Sequence, residues 1–340
     1  MTLTKKNLLK GRKHSKVKKS NKAKKHTKGK KTQKVKVLYI KPDPKHTDEF
    51  MKSKEGEYFE KSWYNKIINY NCDAYQIKDG KTKLLFKFRK KVLSDKLCKV
   101  GIANLKKAAM KKHDNRGASA GVIAYDKLPS YANEKQQFDR VDKFRIIGYK
   151  SKRNGKWINN SFGNLSQSNI IGYFDKRDRN LGVGAPPCRK TAFSSDQVEQ
   201  WDNVQPLIKQ INHMYKTLVP TQHRMQLKEA KQTDFHIKDT AFSTVTINYN
   251  WRTALHKDAG DYKQGFGNLV ILEEGKYKGG AIGFPQFGVA IDVRHCDFLA
   301  MDVHEWHCNT KIEPITKDFT RLSLVSYLRE NMVKCKGLKN

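Results

Sequence analysis

The sequence predicts an α+β fold, with helices and mixed strands in the N-terminal part and a sandwich or barrel of short strands in the C-terminal part. Three observations predict it. From Phe242 onward, "FSTVTINYNW", "GNLVILEEG", "GGAIGFPQFGVAIDV", "CDFLAMDVHEWH" and "RLSLVSYLRE" are short, β-rich and separated by Gly, Pro, Asp or charged turns. That spacing argues against the strand–helix alternation of a parallel sheet. Upstream of Phe242, two segments carry helical periodicity. Finally, 340 residues with 37% hydrophobic content are ample for a core of one large or two medium domains.

In chain order, residues 1–36 hold 15 Lys, one Arg and no acid, and are expected to be a disordered, self-repelling tail. Residues 37–190 are expected to form a mixed α/β part of the same domain as the β-rich core. Order begins near "VKVLYIKP". "KTKLLFKFRKKVL" reads as a basic strand with Phe86 and Phe88 on one face. "DKLCKVGIANLKKAAMKKH" reads as a helix with Lys outward, and "NRGASAGVIAYDKLP" as a close backbone approach. Residues 130–190 read as surface strands and loops. "SSDQVEQWDNVQPLIKQINHMYKTLVP" reads as a helix capped by Ser195 or Asp196 and ending near Pro220. Residues 191–333 form the β-rich core.

No apolar run approaches the roughly 20 residues of a membrane span, and the N-terminus has no apolar signal core, so an intracellular protein with no membrane partner is expected. The six Cys never form Cys-x-x-Cys and read as reduced thiols with no zinc site. Beyond the tail, 53 basic residues still face 33 acidic ones, within a formal charge of +36. A polyanion partner follows, with nucleic acid first; a solubility or targeting tail is the alternative for residues 1–36. "GKT" at Gly80 and "GVGAPP" at Gly182 lack the remaining residues of phosphate-loop and dinucleotide motifs.

The chemistry lies in "WRTALHKDAGD". His256 and Asp258 are two apart, so on an extended chain both side chains face one ion. His307, 51 residues later, completes a two-His, one-carboxylate set, which leaves three positions of an octahedral iron open. His304 is three residues earlier and points to the other strand face. Arg321 and Ser323 share a face of the last strand, where a guanidinium fork with a hydroxyl suits a carboxylate. Arg329 is the lesser candidate. Asn248 and Arg252 lead into His256 and could line the co-substrate pocket. Asp261 could contact a co-substrate or cap the turn "AGD". Arg116, Arg189 and the Lys-rich stretch 106–112 are candidate DNA contacts.

These segments, "RTALHKDAGD", "GFPQFGVAIDVRHCDFLAMDVHEWHCNT" and "RLSLVSYLRE", resemble the TET/JBP family of Fe(II)- and 2-oxoglutarate-dependent nucleic-acid-base dioxygenases. The likeness runs over roughly residues 190–332, with "NRGASAG" and "CRKTAF" as further similar segments. It implies a double-stranded β-helix (jelly roll) with N-terminal elements packed around it. It carries metal-ligand roles onto His256, Asp258 and His307, and the 2-oxoglutarate role onto Arg321. The implied partners are Fe(II), 2-oxoglutarate and O2, with ascorbate as reductant or co-substrate. The implied substrate is a thymine or 5-methylcytosine methyl group in double-stranded DNA, the base being flipped out. A monomer, nuclear or otherwise DNA-associated, is expected. The alternatives are a related enzyme with another substrate or another co-substrate fragment, and a catalytically silent DNA binder.

Overall fold

The computed structural model describes residues 34–124, 138–150, 154–175 and 187–339. The expected tail falls outside them except for its last residues, and Lys36 already opens the strand Lys36–Ile40.

Among the described residues, the largest sheet has an antiparallel centre of four strands. In spatial order these are Phe298–Met301, Gly267–Glu274, Thr320–Tyr327 and Thr244–Tyr249. Lys81–Arg89, Cys72–Lys78 and Lys36–Ile40 extend it on one side, the last pair running parallel. Ser166–Asp175 and Cys188–Lys190 extend it on the other. A second sheet runs Cys308–Asn309, Ile282–Phe284, Val289–Ile291, Lys66–Ile68. An antiparallel bridge between His256 and His307 lies just before Cys308. Followed from Thr244, the chain passes back and forth between the two sheets, with the hairpin Ile282–Phe284 to Val289–Ile291 staying in the second, which is a double-stranded β-helix, as the resemblance implied.

The central strands are buried on both faces, and residue parity decides which neighbour each side chain meets. Val245, Ile247, Val270, Leu272, Leu322 and Leu324 pack outward against helices Asp95–Ala109 and Val198–Leu218, meeting Ile102, Leu105, Leu207 and Ile211. Gly101 permits that approach: a Cβ there would sit 2.8 Å from both Leu207 and Leu272. The opposite parity, with Leu269, Ile271, Leu299 and Met301, faces Ile282, Phe284, Val289 and Ile291 of the second sheet. Phe86 and Phe88 join this inner layer from one strand face.

Several local expectations change. Ser166–Asp175 is a member of the main sheet with Ile171 fully buried, not a surface strand. Ser195 and Asp196 end a short helix, Ala192–Asp196, and Gln197 caps the long one. Pro220 opens a further helix, Pro220–Ala230, since its missing N–H costs nothing in a first turn. The first long helix starts at the Ser94 cap, whose Oγ accepts the Leu97 N–H at 3.4 Å, and stops at Ala109. The cysteines are not all free thiols, because Cys188 and Cys335 form a disulfide. Their separation of 147 residues hides the pairing in the sequence, while the fold sets their Cα atoms 6.2 Å apart, within disulfide reach.

Candidate active site

A cavity of about 290 Å³ opens between the two sheets. Its walls are the inward parity positions: Thr246 and Asn248, Leu269, Met301, then Arg321, Ser323, Val325 and Tyr327, with Ile282, His307 and Asn309 from the second sheet. The loop after Thr244–Tyr249 closes one side through His256 to Asp261.

His256, Asp258 and His307 converge there. One donor atom from each lies within 4.8 Å of the others. Nε2 of His256 is 3.5 Å from Asp258 Oδ1, and Nε2 of His307 is 3.7 Å from Asp258 Oδ2. Reciprocal backbone hydrogen bonds between His256 and His307, 3.1 and 3.0 Å, hold the two rings 4.3 Å apart. The backbone also sets both tautomers. Nδ1 of His256 donates to the Ala254 carbonyl at 2.8 Å, and Nδ1 of His307 to the Glu305 carbonyl at 2.9 Å. Both Nε2 lone pairs are thereby turned to the cavity, the usual support for a metal-ligating imidazole. Burial, with the neighbouring His307 second, holds the His256 imidazole down at about 4, so it is a neutral donor. Two imidazoles and one carboxylate suit Fe(II). His304 is elsewhere, its Nε2 3.3 Å from the Tyr262 carbonyl.

Arg321 is 2% exposed. Its Nη2 donates to the Gly280 carbonyl at 2.8 Å, its Nε has no partner, and among the described residues no carboxylate pairs with it. Gly280, at φ +72°, lets that loop close over the guanidinium, since a Cβ would come 2.9 Å from Nε. A buried cation facing a cavity without a counter-ion calls for an anionic occupant. Ser323 lies beside it on the same face and accepts from Asn248 Nδ2 at 3.0 Å. Asn248 in turn accepts from Ser168 Oγ at 2.6 Å.

Arg252 does not line the cavity. Its guanidinium donates to the carbonyls of Asn309 and Phe59 and stacks over Tyr58, so it is tied into the scaffold. Asp261 does line it, a residue only 8% exposed with Oδ2 unpartnered. Burial, then the charge of Asp258, pushes this carboxyl well up, against the pull of Arg329. Arg329 also lines the wall, stacked over Phe174 and bonded to Asp175 at 3.0 Å. Arg116 forms part of the wall as well, one N–H on the Asn169 carbonyl at 3.3 Å and Nε without a partner. Arg189, Lys107, Lys111 and Lys112 are exposed, whereas Lys106 pairs with Glu274 at 3.7 Å.

Several wall residues escaped the reading of the sequence, among them Asn115, Thr246 and Tyr327. Two carry a usable signal. Thr246 shares parity with Asn248, and Tyr327 with Arg321 and Ser323. Tyr327 exchanges a hydrogen bond with Thr246 at 3.2 Å, and burial pushes its phenol up to about 12.

Comparison with known proteins places the same region in context. Residues 169–330 match the Tet_JBP family model, described as the oxygenase domain of the 2OGFeDO superfamily. Over 220 residues the chain is 34% identical to thymine dioxygenase JBP1-B of Trypanosoma cruzi (strain CL Brener), covering 64% of this chain and 25% of that protein. Over 172 residues it is 36% identical to thymine dioxygenase JBP1 of Trypanosoma brucei brucei, covering 49% and 20%. The chain thus spans about a quarter or less of the length of these curated relatives. Among solved structures, NgTET1 in complex with 5mC DNA aligns with a TM-score of 0.47 at 13% identity, over 91% of this chain and 86% of that one.

Proposed function

Since residues 169–330 belong to the TET/JBP oxygenase family, we propose that this chain is an Fe(II)- and 2-oxoglutarate-dependent dioxygenase that hydroxylates the 5-methyl group of a pyrimidine in DNA. The observation that carries the proposal is a single cavity that combines a two-His, one-carboxylate donor set with a buried, unpaired Arg321. Thymine is placed ahead of 5-methylcytosine because the similar relatives are named thymine dioxygenases.

His256, Asp258 and His307 would hold the iron, and Arg321 with Ser323 the distal carboxylate of 2-oxoglutarate. With O2, the bound iron and 2-oxoglutarate supply the two-electron oxidation of a C–H bond, leaving succinate and carbon dioxide. The residues do the positioning. Asn248, held by Ser168, orients Ser323 toward its ligand. The inner apolar wall of Leu269, Ile282, Met301 and Val325 keeps water away from the reacting methyl. Asp261, with an unpartnered oxygen, is assigned to the substrate side of the cavity rather than to a turn. A cavity enclosed between two sheets admits only a base that has left the duplex, at a cost of a few kcal/mol. The excess of basic residues offsets that cost through phosphate contacts. The enzyme would act as a monomer where DNA is, with ascorbate keeping the metal reduced.

The test is nucleoside mass spectrometry after incubating DNA with the purified chain, Fe(II), 2-oxoglutarate and ascorbate. Thymine-only and 5-methylcytosine-containing duplexes would run in parallel, with succinate followed. One added oxygen on one nucleoside is expected. Succinate without altered DNA would move the substrate to RNA or protein. An iron-loaded chain giving neither product would overturn the assignment.

A further inference from the structure

A second cavity, of about 620 Å³, lies beside the active-site cavity and shares Asn115, Arg116 and Phe174 with it. Strand Ser166–Asp175 forms one side of it. Two short strands pair with the ends of that strand. Lys112–His113 pairs with Gln167 and Ser166, and Cys188–Lys190 pairs with Asp175 to Tyr173. The cavity lies along the stretch between them, so His113 and Arg189 enter its wall from the two ends.

Most polar groups of this wall are already satisfied. Asp175, its one carboxylate, accepts from Arg329 Nε at 3.0 Å and from Asn331 Nδ2 at 2.9 Å. Ser168 Oγ donates to Asn248 at 2.6 Å. The Asn169 amide is spent on the Ala108 carbonyl at 3.2 Å and the Ile170 N–H at 2.8 Å. Thr191 Oγ1 donates to Ser194 Oγ at 3.2 Å. What remains, apart from the Asn115 amide, is nitrogen. Arg116 Nε and His113 Nε2 are buried without a partner. Arg189 is exposed and donates to the Lys190 carbonyl at 3.3 Å, and among the described residues no carboxylate pairs with it. Burial, then the charge of Arg116, lowers the His113 pKa, so this imidazole enters as a neutral group. Two guanidinium charges and a set of spare N–H donors call for an oxyanion.

We propose that this cavity seats a phosphodiester of the substrate strand next to the flipped nucleotide, held by the Arg189 guanidinium at the rim and by His113 Nε2–H inside. The inference rests on the reading of the neighbouring cavity as the base pocket. A flipped base stays tied to its strand through two phosphodiesters, so each of them lies close to the cavity that holds the base. The shared residues Asn115, Arg116 and Phe174 put the second cavity within that reach. Arg116, standing in both walls, adds positive charge to each. Such a contact fixes the register of the strand over the active site and carries no sequence information of its own.

The test is binding of the full chain, with Fe(II) and 2-oxoglutarate but without oxygen, to a duplex whose labelled strand holds one thymine, read by fluorescence anisotropy. A neutral methylphosphonate replaces the phosphate on the 5′ or the 3′ side of that thymine in turn. One of the two replacements is expected to weaken wild-type binding roughly tenfold, the scale of one charge-assisted contact. Arg189→Gln, at an exposed position that should fold, is expected to lose a similar factor on the native duplex and nothing further on that neutralised one. Its salt slope should fall by about one phosphate contact, and Arg189→Lys should recover most of the affinity. Losses that multiply at both positions, or Arg189→Gln binding like the wild type, would overturn the proposal. The activity is judged separately, by admitting oxygen. Coupling without an oxidised nucleoside keeps this site and removes the oxidation, whereas oxidation without coupling removes this site alone.

Discussion

Replacing Arg321 with methionine is expected to leave the free protein about as stable as before while removing its response to 2-oxoglutarate. The side chain is 2% exposed and makes one hydrogen bond, from Nη2 to the Gly280 carbonyl at 2.8 Å, with Nε unpartnered. Losing that charge-assisted bond costs about 1.5–3 kcal/mol. Against it stands the desolvation of a buried cation, which is several kcal/mol and disappears with the guanidinium. Methionine fills much of the same volume. The sum is within about 2 kcal/mol of zero.

The ligand side behaves differently. At 2-oxoglutarate a hundredfold above its Kd, the wild type gains about 2.7 kcal/mol of stability. A guanidinium fork gripping a carboxylate contributes two charge-assisted bonds, so the variant loses roughly 3–6 kcal/mol of binding. That is about a hundredfold to ten-thousandfold in Kd, and at the same concentration the gain falls below about 0.5 kcal/mol. Urea unfolding under anaerobic Fe(II), with and without 2-oxoglutarate, measures both numbers. If the free variant lost 3–5 kcal/mol, Arg321 would have a protein counter-ion and the reasoning would fail. It would fail equally if the ligand-induced shift survived.

Three further outcomes follow from the same geometry and composition. His256→Ala and Asp258→Ala are each expected to abolish succinate-coupled DNA oxidation with DNA affinity within about threefold of wild type (under ~1 kcal/mol); turnover near wild type in either variant would remove the ligand assignment. Deleting residues 1–33 is expected to weaken DNA binding and flatten its dependence on salt, measured by fluorescence anisotropy over a salt series; an unchanged slope would show that the segment does not contact phosphate. His223 is 4% exposed, with Nε2 3.0 Å from Asn212 Oδ1, and burial holds its imidazole down at about 4. Its folded pKa lies below the unfolded value of about 6.5, so the stability it contributes is intact above pH 6.5 and is lost as pH falls toward 4, by up to about 3 kcal/mol. The urea midpoint of the wild type should fall across that window, and His223→Gln should flatten the fall.

What the sequence disclosed and what it hid have a common cause. His256, Asp258, His307 and Arg321 were legible because each sits where strand parity and chain order can be read against a chemical requirement, and the four stand together in one cavity. A sandwich or barrel was legible from short strands with punctuated turns, and its double-stranded β-helix topology only from the family resemblance. Strand Ser166–Asp175 was not, because it places Ser168 on the polar network behind Ser323 and only Ile171 deep against the helices. Asp261 was left open between co-substrate contact and the turn "AGD", and it is buried with an oxygen left over. Arg252 misled in reverse, since its polar end is spent on the backbone carbonyls of Asn309 and Phe59. Hydrophobic periodicity detects packing against apolar neighbours, and the interior of a polar cavity looks to it like solvent. The cysteine pair was hidden for a different reason, because the contact between residues 188 and 335 is a property of the closed fold with no local trace. A sequence reading of such a domain should therefore treat polar residues of inward parity, flanking a recognised ligand set, as wall residues by default. Applied here, that rule recovers Thr246 and Tyr327 from the parity of Asn248 and Arg321 alone.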